Sequence, residues 1–262
     1  MGGLWLHPFS FFLTGMIILA GAQYEYFLMI KNCGIRPQIV PGMITGISSY
    51  ILATLVASGI LKPVFLLLPV PMMVIIMILE LYRKGDRPFD SLAHTLFSVI
   101  YIVVPLSLFP FAAFSRTGLH SILSYRDMVF SPGIPVGFFI LLWINDSGAY
   151  LAGSSFGSHR LMERISPKKS WEGFFGGMIL SAAAGWLLAG WLGALQPAEW
   201  VAVSLIISVS GTYGDLVESM LKRSMGVKDS GTILPGHGGF LDRFDSTLIS
   251  FPLVFLFVSL FG

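Results

Sequence analysis

Apolar residues follow one another for about twenty positions at a time, and eight such runs lie along the chain, near 5–28, 38–60, 64–82, 93–114, 133–152, 171–194, 198–218 and 244–261. A bilayer's hydrocarbon core of about 30 Å is crossed by about 20 apolar residues of helix, and peptide groups in lipid must find partners within the segment itself. The pattern therefore predicts an all-α integral membrane protein, a polytopic bundle of about eight transmembrane helices. No internal repeat, low-complexity tract or long polar linker interrupts it. One continuous membrane domain is expected, with N-terminal helices over 1–130 and a chemistry-bearing C-terminal set over 131–262. Closely spaced glycines (Gly173, Gly176, Gly177; Gly185, Gly190; Gly211, Gly214) read first as contacts between helices, because small residues let helix backbones approach in lipid.

Composition agrees with the pattern. The chain is 55% hydrophobic, its mean hydropathy is +0.79 and only 11% of it is charged. A net charge of +2 gives no basic field for nucleic acid. A single cysteine, Cys33, excludes an internal disulfide, and the five histidines show no zinc-ligand spacing with it. Of the sixteen Lys and Arg, only Lys62, Arg116 and Arg126 fall between even-numbered and following spans; the other thirteen fall in the odd loops. Basic residues mark the cytoplasmic side, so the odd loops are expected there and both termini outside. Ala20-Gly21-Ala22 has the small-residue pattern of a signal-peptidase site, but no Lys or Arg precedes Lys31, so no cleavage is expected.

The remaining charge is concentrated. Asp146 lies in or at the edge of the fifth run, where an ionisable group costs about 2.5–3.5 kcal/mol and needs a cavity or a partner. In Ser166-Pro167-Lys168-Lys169-Ser170-Trp171-Glu172, Ser170 can cap a helix starting at Trp171, leaving open N–H groups beside Lys168 and Lys169 as an anion site or as a lipid-headgroup anchor. Asp215, Ser219 and Lys222 share one helical face with Glu218 beside it, and Asp215 with Lys222 makes a candidate ion pair. The stretch Ser219–Asp245 adds Arg223, Lys228, Asp229, His237, Asp242, Arg243 and Asp245 between two apolar spans. Glycines around His237, among them Gly238 and Gly239, suit a phosphate-cradling turn, and Asp242 and Asp245 at i, i+3 can approach one metal.

Three blocks in this half form a known pattern: Asn-Asp-x-Gly-Ala-Tyr at 145–150, Ile-Ser-Pro-Lys-Lys-Ser-Trp-Glu-Gly at 165–173, and Ser-x-Leu-Lys-Arg, Lys-Asp-x-Gly and Pro-Gly-His-Gly-Gly-x-x-Asp-Arg-x-Asp across 219–245. Together they resemble the phosphatidate cytidylyltransferases, or CDP-diacylglycerol synthases; residues 1–130 match only in hydrophobic character. The family's usual further basic-flanked hydrophobic segment at the start has no counterpart here. The resemblance implies transfer of the cytidylyl group of CTP to phosphatidic acid, with CTP, phosphatidic acid and membrane lipids as partners, no nucleic acid, and a homo-oligomer left open. The expected setting is the bacterial cytoplasmic (inner) membrane with the site facing the cytoplasm.

The attacking phosphate has a second pKa of about 6 and is already ionised, so charge neutralisation rather than a base is the need. On that reading Asp215, Asp242, Asp245 and Asp146 are the expected Mg2+ ligands, with room for a second metal or a monovalent cation. Lys222, Arg223, Lys228 and His237 are expected to hold phosphates, and Arg243 belongs to the same catalytic block. Asp229 serves either as a ligand or as the partner of Lys228; Lys168, Lys169 and Ser170 receive either the lipid phosphate or the nucleotide. Two other readings share some features: a CTP-dependent kinase of a lipid alcohol such as a polyprenol, which would need a base for its hydroxyl nucleophile, and a secondary transporter, which would set its charges near mid-membrane between repeats.

Overall fold

A computed structural model describes residues 7–114, 129–227, 230–231 and 239–262. Eight helices in it are long and apolar enough to span a membrane: α1 Pro8–Asn32, α2 Ile39–Ala57, α3 Pro63–Tyr82, α4 Pro88–Phe114, α5 Gly133–Phe156, α6 Trp171–Leu192, α7 Pro197–Ser224 and α8 Phe240–Phe261. They coincide with the eight apolar runs. Four begin with proline (Pro8, Pro63, Pro88, Pro197), whose missing N–H would have no helical partner at that position. The first turn of α3 is a tight 3-10 turn, Pro63–Leu67. Within α4, Val99–Val103 winds as a π-helix just before Pro105, and Pro110 follows, so the two prolines break up the regular hydrogen-bond ladder of this span.

The boundaries differ from the apolar runs on one side of the bundle. Helix α5 continues to Phe156, α7 to Ser224, and α8 starts four residues before its apolar run, at Phe240. Polar residues there extend the helices because they have one another as partners. Between α5 and α6 the chain forms a short antiparallel hairpin, β1 Arg160–Met162 and β2 Ser166–Ser170, which turns Lys168 and Lys169 back toward the bundle. The sequence pattern gave no sign of these strands.

Small residues hold α5 against α6: a Cβ on Gly177 would meet the Asn145 carbonyl oxygen at 2.6 Å, and one on Gly173 the Ala149 carbonyl oxygen at 2.7 Å. Gly190, grouped with these in the sequence, instead faces open space. Phe109, Phe138 and Phe251 join α4, α5 and α8 in an aromatic core, with the Phe109 and Phe251 rings stacked and Phe138 edge-on to Phe251. Outward faces are apolar as well: α3 exposes Val74, Ile75, Ile78 and Leu81, and α6 exposes Ile179 and Leu187. In water such faces would be an aggregation hazard; in lipid they are the solvent contact.

Candidate active site

Helices α7 and α8 come together at Gly214, where a Cβ would lie 3.0 Å from both the Asp245 carbonyl oxygen and the Ser246 Cα. That contact permits a carboxylate cluster: Asp215 and Glu218, one turn apart on α7, and Asp245 on α8 each present an oxygen within 4.8 Å of the other two. Glu218 is completely buried, and its Oε1 has no hydrogen-bond partner. Three acids so placed repel one another unless cations intervene, and hard divalent ions take such oxygen donors. The orphaned Glu218 oxygen and the all-carboxylate donor set fit a hard divalent cation.

Two lysines flank the cluster. Lys169 Nζ lies 2.5 Å from Asp215 Oδ2 and donates at 3.4 Å to the Thr212 carbonyl, tying the hairpin to α7. Lys222 Nζ lies 2.7 Å from Glu218 Oε2 and 2.7 Å from Asp242 Oδ1. Asp242 also accepts from the backbone N–H of Gly239 at 3.0 Å and of Ser230 at 3.1 Å, so it caps α8 and fastens the preceding segment. The expected pair of Asp215 with Lys222 is therefore not the one formed. A separation of seven residues is two helical turns, whereas Glu218 is one turn from Lys222 and within its reach. Likewise Asp242 and Asp245 share α8 but differ in surroundings: Asp245 joins the acidic cluster and Asp242 joins Lys222.

Beside the cluster lies a cavity of about 400 Å³ between α5, the hairpin, α6 and α7, lined among others by Asn145, Asp146, Lys168, Lys169, Ser170 and Asp215. Asp146 is thus exposed to this cavity rather than to lipid alone. Ser170 caps α6 as its sequence implies, accepting from Gly173 N–H at 3.2 Å. The helix start is less open than expected, because Trp171 N–H donates to the His159 carbonyl and the Glu172 carboxylate binds His159 Nδ1 at 2.6 Å. Positive charge in the cavity comes from Lys168 and Lys169. Arg223 is exposed and turns to the Val227 carbonyl at 3.5 Å, Arg243 is exposed on α8, and Gly239 is the N-cap of that helix. Lys228, Asp229, His237 and Gly238 lie outside the described residues.

One residue escaped the sequence reading. Glu25 of α1, only 1% exposed, accepts at 2.9 Å from the N–H of Leu241 at the start of α8. Its carboxylate fills the space where Gly231 and Gly239 lack side chains. It is the single acid of the first apolar run, so the argument that singled out Asp146 applied to it too. Glu25→Ala is expected to leave a buried N–H unsatisfied at a cost of about 1–3 kcal/mol, visible as a lower thermal midpoint in detergent together with reduced activity. Glu25→Gln, which keeps an acceptor oxygen, should recover most of the stability. Equal stability of the alanine variant and the parent would show that the contact does not hold α8.

Clustered carboxylates beside a lysine-lined cavity at one end of a helical membrane bundle form a centre suited to binding metal and phosphates. The chain belongs to the Cytidylyltransferase family, whose model matches residues 1–261. Among its relatives, a protein of Staphylococcus epidermidis called phosphatidate cytidylyltransferase is 35% identical over 256 residues, covering 97% of this chain and 89% of its own. A Staphylococcus aureus protein of the same name is 37% identical over 218 residues, 82% of this chain and 78% of its own. A Bacillus subtilis protein so named is 45% identical over 126 residues, 47% of this chain and 46% of its own.

Proposed function

We propose that the chain joins CTP and phosphatidic acid into CDP-diacylglycerol, releasing pyrophosphate, at a site on the cytoplasmic side of a bacterial inner membrane. The observation that carries this reading is the carboxylate cluster of Asp215, Glu218 and Asp245 opening beside a cavity that holds Lys168 and Lys169. Its volume of about 400 Å³ lies in the range of small-molecule sites. An oxygen of the lipid phosphate forms a bond to the α-phosphorus of CTP, and the bond from that phosphorus to the bridging oxygen of the leaving pyrophosphate breaks. The attacking phosphate monoester has a second pKa of about 6, so no side chain need remove a proton.

Asp215, Glu218 and Asp245 would hold Mg2+, with Asp146 facing the same cavity from α5. When bound, the ion supplies neutralisation of phosphate charge and stabilises the leaving group. Lys168 and Lys169 bring positive charge to the phosphates in the cavity, and Lys169 also orients Asp215. Lys222 works at one remove, holding Glu218 and Asp242 in place, while Asp242 and Glu25 fix the start of α8 so that Asp245 faces α7. Asp242 is thus a positioning residue, in place of the direct metal role its spacing suggested.

The reaction is tested with purified protein in detergent, phosphatidic acid, Mg2+ and CTP labelled at either the α- or the γ-phosphorus. The α-label should enter the lipid and the γ-label should leave as pyrophosphate. Lipid labelled only from the γ-position would identify a CTP-dependent kinase instead.

Orientation has its own test. Cys33 lies in the first odd loop, where its thiol donates to the carbonyls of Met29 and Met225 at 3.3 Å, joining that loop to the end of α7. A membrane-impermeant thiol reagent should spare Cys33 in intact cells and label it in inverted vesicles. Strong labelling of intact cells would place the cavity on the outer side.

A further inference from the structure

A pair of cavities lies away from the acidic cluster and shares no lining residue with the cavity beside it. It is built where α1 ends, α2 begins, α3 ends and α4 begins. The larger, about 620 Å³, has an apolar wall that includes Ile39, Val40, Leu79 and Tyr82, with Lys31 at its edge. The smaller, about 270 Å³, is polar and holds Lys84, Arg87 and Ser91. Arg36 and Arg83 line both, so a pair of arginines stands where the apolar chamber meets the polar one.

The wall between them is built rigidly. Arg83 donates to Glu80 Oε2 at 2.8 Å, to Ser91 Oγ at 3.0 Å and to the Arg36 carbonyl at 3.1 Å. Glu80 is buried and is held again by Gln38 Nε2 at 2.6 Å. Arg87 is paired with Asp90 at 3.2 Å. Among the described residues, the side chains of Lys31, Arg36 and Lys84 have no hydrogen bond or ion pair. The small chamber sets four cations (Arg36, Arg83, Lys84, Arg87) against Glu80 and Asp86 in its lining and Asp90 paired with Arg87 beside it, so it keeps a positive excess of one. On the other side the apolar wall runs on into faces of α2 and α3 that expose Val40, Ile44, Ile75 and Ile78.

We propose that this groove binds an anionic glycerophospholipid, its phosphate between Arg36 and Arg83, its headgroup in the small chamber and its acyl chains along α2 and α3. Guanidinium forks suit phosphate oxygens, and the order of polar chamber, arginine pair and apolar wall matches headgroup, phosphate and acyl chain. The surplus cations favour a headgroup without an amine. Phosphatidylglycerol fits that requirement; the cationic ammonium groups of phosphatidylcholine and phosphatidylethanolamine meet Lys84 and Arg87 unfavourably. Cys33 links the first odd loop, which carries Arg36, to Met225 at the end of α7, so the groove opens on the same side of the bundle as the acidic cluster. The inference does not depend on the reaction proposed for the first cavity.

Native mass spectrometry of the delipidated full chain, given equal amounts of phosphatidylglycerol and phosphatidylcholine, provides the test. The parent should retain phosphatidylglycerol preferentially. Arg36→Gln and Lys84→Gln should each weaken that preference about fivefold, as expected for one basic residue at an anionic membrane surface. Both side chains are exposed and, among the described residues, without partners, so at least one variant should retain the parent's thermal midpoint and be scored. Asp245→Asn, altered in the acidic cluster beside the other cavity, should keep the preference. Equal retention of the two lipids by the parent, or an unchanged preference in a folded Arg36→Gln or Lys84→Gln protein, would refute the site. Loss of the preference in Asp245→Asn would assign the retained lipid to the first cavity. Displacement of phosphatidylglycerol by millimolar inorganic phosphate alone would make it a free-phosphate site and overturn the lipid assignment.

Discussion

Asp215→Asn and Asp245→Asn are expected to insert and purify like the parent and to lose at least about a hundredfold in cytidylyl transfer, the upper range for loss of supporting metal interactions. An amide keeps the shape of a carboxylate but removes the charge that a hard cation requires. Because Asp215, Glu218 and Asp245 crowd one another, neutralising one relieves repulsion when no metal is bound. In EDTA Asp245→Asn should therefore melt at or above the parent's midpoint, whereas Asp215→Asn also weakens the contact with Lys169 and should gain less or fall slightly. The parent should gain thermal stability when Mg2+ is added, by linkage to binding, and the variants should gain much less. Asp242→Asn should behave differently. It weakens the contact with Lys222 and the cap of α8, so its midpoint should fall with or without Mg2+. A folded Asp245→Asn protein with parental turnover and a parental Mg2+ response would defeat the metal assignment.

The largest loss of stability should come from Lys222→Met. The Lys222 side chain is 13% exposed and holds two carboxylates, one of them completely buried. Removing it strands both charges, and breaking a buried pair in this way costs about 3–5 kcal/mol. Poor yield or a sharply lowered midpoint is the expected result. The double variant Lys222→Met with Glu218→Gln removes the most deeply buried of the stranded charges and should recover much of the stability, but not the activity, since Glu218 belongs to the acidic cluster. Recovery of both would reduce Glu218 to a structural partner of Lys222. A parental midpoint for Lys222→Met alone would mean that water or another cation neutralises the two acids.

The eight spans were legible because hydrocarbon thickness fixes how long an apolar run must be, and that constraint acts on each segment separately. Their ends were not legible on the side of the acidic cluster. Helices α7 and α8 run on through Lys222 and Asp242, whose polarity reads as loop until each is seen to be the other's partner. The hairpin over Ser166–Ser170 was hidden for a similar reason: a proline and two lysines carry little strand propensity, and pairing with Arg160–Met162 supplies what the residues lack. Asp146, Asp215 and Asp245 could be singled out one at a time as acids in apolar surroundings. Glu25 could have been found in the same way, but its partner lies 216 residues away at Leu241, and no local spacing shows such a contact. Spacing also treated Asp242 and Asp245 alike, although only their neighbours on α7 distinguish them.

The depth of the acidic cluster affects how the two substrates meet. Asp215 stands eighteen residues from the start of α7, about 27 Å of helix, against a hydrocarbon core of about 30 Å. Asp245 is sixteen residues from the end of α8, about 24 Å. Measured along the helices, the carboxylates therefore lie just inside the edge of the hydrocarbon core, below the bilayer's own phosphates, so on the proposed reading a lipid reacts without being lifted out of its leaflet. On that reading it is the water-soluble nucleotide that makes the journey. Turnover should then follow the mole fraction of phosphatidic acid within the bilayer, falling when inert lipid dilutes it at constant bulk concentration, as for a reaction confined to two dimensions.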